Sequence, residues 1–145
     1  GLALADVHRA ADGQGMLGLL AWDPEQQQVS LAAGCQAVLS RVDDLSGDRL
    51  GRQLLDDCDS GTGASGGALI LAHDGVVRLV GIRGGQHWDM KRWPPNRFPD
   101  GPPSGLRWDP SSHTNYARAI DSELLETLGS WWTGLKTGTD ASRAP

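Results

Sequence analysis

Short apolar segments, rich in β-branched residues and separated by turn residues, run along most of this chain. They lie at 16–22, 28–33, 35–42, 67–72, 76–82 and 115–120. Segments of this length and spacing predict the strands of an all-β sandwich or barrel. Within LILAHDGVVRLV, the pair Asp74-Gly75 predicts a tight hairpin turn, because both residue types tolerate a positive φ.

The C-terminal part of the chain follows a helical pattern instead. Leucines recur at helical spacing within 124–128, and Asp121 or Ser122 can cap the helix. We expect the tryptophan pair at 131–132 to close this helix against the body of the protein. Small and polar residues dominate from there on, which predicts a disordered tail over 133–145.

The segment 86–112 is rich in proline and tryptophan and has no periodicity, so it predicts a long loop. Its basic residues lie close to tryptophans, but a solvated surface loop is the better interpretation. The net charge of −5 argues against a nucleic-acid partner. No apolar run approaches the ~20 residues that a membrane-spanning helix needs, so we expect no membrane partner either.

One serine stands among glycines in the segment 58–70, CDSGTGASGGALI. Its G-x-S-x-G pattern matches a nucleophile elbow, but that elbow requires a helix afterwards, and a predicted strand hairpin follows here. A phosphate-binding loop would need Gly-Lys-Ser/Thr, which is missing from this segment. Two interpretations therefore stay open, a glycine-rich turn without chemistry and a loop that presents Ser65.

Residues 58–85 resemble the active-serine segment of trypsin-like (chymotrypsin-fold) serine peptidases. The family shows Asp-Ser-x-x-Gly-x-Ser-Gly-Gly-Pro-Leu, and this chain has DSGTGASGGAL. GCQAVLSRV and NYARAIDSELLETLGSW are similar to flanking parts of bacterial members, so the resemblance covers 16–132. It implies a six-stranded antiparallel Greek-key barrel, the second barrel of the fold, followed by a C-terminal helix. It also implies a polypeptide substrate and neither cofactor nor metal.

The resemblance further implies the roles of individual residues. Ser65 would be the nucleophile that forms an acyl-enzyme, and the backbone N–H groups of Gly63 and Ser65 would bind the oxyanion. The implied substrate pocket consists of Asp59, Ser60, Ile82, Arg83 and Gly84. Asp59 and Arg83 could also pair and neutralise each other, so the preferred substrate residue stays open.

The two cysteines, Cys35 and Cys58, are compatible with a disulfide in an oxidising compartment or with two free thiols. Bacterial relatives pair cysteines at these two places, so the resemblance implies a disulfide. A disulfide in turn predicts a secreted or periplasmic protein.

A serine nucleophile needs a base, and the histidines at 8, 73, 87 and 113 do not fit that role. The family supplies its histidine and aspartate from a first barrel. GLALAD is similar to the strand that carries this aspartate, with Gly1 in its place and residues 2–5 in the strand. Residues 1–15 are therefore expected to be the end of a truncated first barrel or a linker. The alternative is a degenerate, non-catalytic peptide-binding or regulatory module.

Overall fold

A computed structural model describes residues 2–43, 49–59 and 64–137. Within these ranges the chain forms two helices and seven strands. The helices are α1 (Leu2–Ala11) and α2 (Ser122–Thr137). The strands are β1 (Met16–Asp23), β2 (Gln28–Cys35), β3 (Ala37–Asp43), β4 (Arg49–Asp56), β5 (Ala68–His73), β6 (Val76–Trp88) and β7 (His113–Ala119). The predicted class, mostly β with a C-terminal helix, is confirmed.

All seven strands belong to one antiparallel sheet, in the order β2-β1-β5-β6-β7-β4-β3. Hydrogen bonds do not close this sheet into a barrel, since β2 and β3 are its two ends. These end strands are nevertheless consecutive in the chain, and Gln36 alone separates them. The structure has one more strand than the six segments predicted, because β4 went unrecognised.

The hairpin of β5 and β6 is confirmed, and its turn has the expected geometry. Asp74 and Gly75 adopt φ values of 50° and 73°. The β1–β2 turn is fixed differently, since the Asp23 carboxylate accepts hydrogen bonds from the N–H groups of Glu25 and Gln26. Both turns therefore form between the apolar segments predicted as strands. The β1–β2 turn is held by an aspartate side chain and the β5–β6 turn by residues with positive φ, and both features are typical of turns.

The core lies on one side of the sheet and follows the alternation of the strands. Leu19, Leu54 and Leu69 are almost completely buried there. Helix α1 contributes Val7 and Ala10, which share one helix face at a spacing of three residues.

The start of the chain differs from the expectation. Residues 2–5 belong to helix α1, so their alignment with a strand is wrong. Alanine and leucine, which are strong helix formers, make up most of LALADVHRAA, and this segment contains only one β-branched residue, Val7.

Helix α2 begins as the sequence predicted. The Asp121 carboxylate caps it by accepting a hydrogen bond of 3.0 Å from the Leu124 N–H. The expected contact of Trp131 and Trp132 with the body is wrong, because these side chains are 38% and 57% exposed. The helix also continues to Thr137, beyond the point where the tail was expected to begin. Residues 138–145 lie outside the described ranges.

Candidate functional site

Ser65 lies in a tight turn immediately before β5. Gly66 has a φ of 82°, a conformation that favours glycine. The Gly67 N–H closes the turn by donating to the Ala64 carbonyl at 2.9 Å. Ala64 is buried and Ser65 is exposed, so the turn anchors itself on one residue and presents the next to solvent.

The turn is held against an irregular part of β6. The Gly66 N–H donates to the Arg83 carbonyl at 2.8 Å, and the Arg83 N–H donates to the Gly67 carbonyl at 2.9 Å. The Ser65 hydroxyl donates to the Gly84 carbonyl at 3.3 Å. Glycine at position 84 allows β6 and the Tyr116 ring to lie close together, because a Cβ there would force the ring to move. The strand β6 thus fixes where the hydroxyl of Ser65 sits.

A buried ion pair lies beneath this turn. Arg83 Nη2 and Asp56 Oδ1 are 2.6 Å apart, and their side chains are 1% and 0% exposed. The Cys58 N–H donates to the same carboxylate oxygen at 3.0 Å. Burial raises the pKa of Asp56 by more than the neighbouring Arg83 lowers it. Arg83 therefore bonds the Ser65 turn through its backbone and the buried carboxylate of Asp56 through its side chain.

A cavity of about 400 Å³ opens beside the same segment. Residues 56–59, 86–88 and 113–115 line it together with part of the loop at 100–108. The lining includes four carboxylates, two indole rings and two imidazoles, namely those of Asp56, Asp57, Asp59, Asp100, Trp88, Trp108, His87 and His113. It is therefore an acidic cavity with aromatic walls.

Hydrogen bonds between the lining segments hold the cavity in shape. Trp108 Nε1 donates to Thr114 Oγ1 at 3.2 Å, which attaches the long loop to β7. Asn115 Nδ2 donates to the Cys58 carbonyl at 2.8 Å, which attaches β7 to the segment before the Ser65 turn. In the part of the chain that the structure describes, two buried atoms of lining residues have no hydrogen-bond partner, Asp56 Oδ2 and Trp88 Nε1.

The disulfide joins Cys35 to Cys58, as predicted. It connects the end of β2 to the segment that lines the cavity and leads to Ser65. The two cysteines are 23 residues apart, and the loop-entropy model assigns about 3 kcal/mol of stability to such a link.

Not all predicted site residues come together. Asp59 lines the cavity, whereas Arg83 is paired with Asp56 beneath the turn. Ile82 is 41% exposed on β6, opposite Ala68. The predicted residues Ser60 and Gly63 lie outside the described ranges.

The histidines lie in four different surroundings. His8 is on α1, and His73 Nδ1 is 3.3 Å from Asp74 Oδ2. His87 lies 5.7 Å from the Tyr116 ring, and burial lowers the pKa of this histidine. The Nδ1 atom of His113 is 3.1 Å from the hydroxyl of Ser112. Among the described residues, no histidine is hydrogen-bonded to Ser65.

Asp56 and the acidic cavity were not predicted from the sequence, although one signal of the buried carboxylate was present. Asp56 follows Leu54 by two residues at the end of β4, so both side chains point into the core. A carboxylate on a buried face requires a partner, and this one finds it in Arg83, 27 residues along the chain.

Comparisons with known protein families, with curated proteins and with solved structures find no match. Neither described helix is long and apolar enough to cross a membrane. Across residues 2–43, 49–59 and 64–137 there is also no group of three or more His, Cys, Asp or Glu side chains arranged to hold a metal ion.

Proposed function

We propose that this chain is the serine-bearing part of a serine endopeptidase, with Ser65 as the nucleophile. The observation that carries the proposal is the Ser65 turn, which presents one exposed hydroxyl and is bonded at three points to β6. A nucleophile must be held in a fixed position for its attack to be efficient. The resemblance of the segment at 58–85 to trypsin-like peptidases supports the same role.

The strand order supports a six-stranded Greek-key barrel. If β2 and β3 are counted as one strand that bends at Gln36, the order becomes cyclic, and each strand has two neighbours. A strand that changes partners at a bend is a common way to form the corner of a barrel. The disulfide lies at this bend, since Cys35 ends β2.

In the proposed mechanism, Ser65 attacks the scissile carbonyl and forms an acyl-enzyme. The N–H groups of Gly63 and Ser65 stabilise the oxyanion, as the resemblance implies. The base that takes the proton of Ser65 would come from a preceding β-domain, as the resemblance implies. The same domain would hold the aspartate that orients the base.

The acidic cavity is the proposed binding site for a substrate side chain. Asp57, Asp59 and Asp100 favour a basic residue, and Trp88 and Trp108 can pack against its aliphatic stem or its cation. The disulfide favours an exported protein, because disulfides persist in oxidising compartments.

Peptide hydrolysis by two versions of the protein tests this proposal. The 145 residues alone should show no serine-dependent hydrolysis. A longer gene product with a preceding β-domain that contains a histidine and an aspartate should cleave peptides after basic residues. Ser65→Ala should lower kcat of the longer product by at least about a thousandfold, whereas Ser130→Ala, on the exposed face of α2, should leave it unchanged.

Three results would contradict the peptidase proposal. The gene could begin at residue 1, which leaves Ser65 without a base. The longer product could lack hydrolytic activity, or Ser65→Ala could retain full activity.

A non-catalytic peptide-binding module is the second candidate. It is favoured by the hydrogen bond between Ser65 and Gly84, which occupies the hydroxyl, while the cavity beside it is fully formed. Such a module would bind a basic peptide without cleaving it, and Ser65→Ala would leave that affinity unchanged. Calorimetric titration of a basic peptide into the chain and into Asp59→Asn distinguishes this candidate from a chain that does not bind peptides.

A further inference from the structure

Four neighbouring strands, β2, β1, β5 and β6, carry apolar side chains on the face of the sheet that points away from the core. Their inward side chains, such as Leu19 and Leu69, belong to the core. Side chains alternate along a strand, and on the opposite side six large apolar residues are between 47% and 63% exposed. These six residues define the outer apolar face: Met16, Trp22, Val29, Leu31, Val77 and Leu79.

The strand registers make this face continuous. Trp22 lies opposite Val29 across the β1–β2 pair. Ala72 of β5 lies between its two register partners, Met16 of β1 and Val77 of β6. The face therefore extends across four strands without a break.

Small residues separate the large ones on this face. Gly18 and Ala33 are paired across β1 and β2, and Ala68 and Ala72 occupy alternate positions on β5. None of these positions carries a charge. The outer apolar face consequently has ridges of large side chains and grooves over small ones, which is the relief that two packed sheets need to interdigitate.

The outer apolar face is as large as the largest apolar patches that monomers expose. Six half-exposed large apolar side chains amount to roughly 600 Å², if each exposes about 100 Å². The largest apolar patch on a typical monomer is about 300–600 Å² and is often functional. Two such faces packed together would bury about 1,200 Å², the lower limit of a standard protein interface.

We propose that the outer apolar face binds the same face of a second copy of this chain, in a two-fold symmetric dimer. Such an interface is self-complementary, so each ridge of one copy meets a groove of the other. Each chain has a net charge of −5, and the uncharged outer apolar face lets two copies meet without bringing like charges together. The proposal does not depend on the function proposed for Ser65.

Sedimentation equilibrium of the 145-residue chain over a wide concentration series tests this proposal. The expected result is a reversible equilibrium between monomer and dimer. Val77→Lys should weaken dimerisation about a hundredfold or more, because two copies would bring buried lysines to the contact. Val29→Lys, at the other side of the face, should have the same effect.

Val76→Lys is the matched control. Val76 precedes Val77 on β6 and is 45% exposed, but its side chain points to the other side of the strand. This variant should dimerise like the unchanged chain, and thermal unfolding should show that all three variants are folded.

Three outcomes would overturn the proposal. The chain could be monomeric at every concentration, or Val76→Lys and Val77→Lys could have the same effect on dimerisation. The chain could also be a monomer that Val77→Lys destabilises far more than Val76→Lys, which would mean that its own residues cover the face.

Discussion

Asp56 and Asp6 both bind arginine, but their surroundings differ. Asp56 and Arg83 are excluded from solvent, with side chains 0% and 1% exposed. Asp6 is also buried, yet its partners Arg9 and Arg78 are 38% and 48% exposed. Water and salt reach the second group and screen it, whereas the first must compensate the full cost of desolvation. The same two chemical groups therefore form a pair between β4 and β6 that depends strongly on both partners, and a screened contact between α1 and β6 that depends on each partner only weakly.

The largest effect should come from breaking the buried pair. Arg83→Leu leaves the Asp56 carboxylate buried without its cation, and the free energy of unfolding should fall by about 3–5 kcal/mol. This loss should shrink as the pH decreases, because a carboxyl whose pKa is raised in the folded state destabilises that state only when ionised. Urea unfolding at several pH values measures both effects.

The double variant Asp56→Asn/Arg83→Leu is the control for this experiment. It removes both charges, so it should recover part of the lost stability. If the double variant is no more stable than Arg83→Leu, the stability that Arg83→Leu loses comes from packing. Burial of an unpaired charge would then not distinguish Asp56 from Asp6.

An intermediate effect is expected at the cap of α2. Burial alone would raise the pKa of Asp121, but hydrogen bonds from Arg118 and from the Leu124 N–H outweigh it and lower the pKa. The ionised carboxylate therefore stabilises the folded state at neutral pH, and this contribution is lost as the pH falls through the lowered pKa.

Asp121→Asn tests this contribution, because asparagine also caps helices but carries no charge. The variant should lose about 1 kcal/mol at neutral pH, since the Arg118 side chain is 25% exposed. Urea unfolding should show the two proteins converging in acid, and a constant difference at all pH values would contradict the assignment.

The smallest effect is expected at Asp6. Arg9→Ala removes a pair of 2.8 Å, but Arg78 Nε remains 3.1 Å from the other carboxylate oxygen. The free energy of unfolding should fall by less than about 1 kcal/mol, and concentrated salt should reduce the difference. If Arg9→Ala lowers the free energy of unfolding as much as Arg83→Leu does, solvent exposure does not explain the difference between the Asp6 and Asp56 ion pairs.

Local sequence signals predicted local structure well. The hairpin at Asp74-Gly75, the cap of α2 and the pairing of the cysteines were all visible in the sequence, each because a few adjacent residues or a family pattern determine it. The strand β4 was not visible, because Gly51, Arg52 and Gln53 interrupt its apolar pattern. Strand β4 is stabilised by its pairing with β7, and the residue propensities within β4 do not predict a partner that is distant in the chain.

The candidate site shows the same limit. Ser65 and Asp59 could be singled out from the segment that contains them, and Asp59 does line the cavity. The partner of Arg83 could not be predicted from the sequence. Asp56 and Asp59 are near neighbours in the chain, and only the fold decides which of them the arginine reaches. The exposure of Trp131 and Trp132 was likewise missed, since helical spacing predicts an apolar face but not what covers it.

The pairing of β4 with β7 has a further consequence for how the chain folds. Leu55 lies opposite Tyr116, so the partners are brought together from distant parts of the sequence. The β3–β4 and β5–β6 hairpins can form early from neighbouring residues, but the pairing of β4 with β7 needs segments about 60 residues apart in the chain to meet. Chains dominated by such distant pairings fold in milliseconds to seconds rather than microseconds. During that delay the edge of β7 is unprotected, and the chain is most exposed to misassembly just before its last strands arrive.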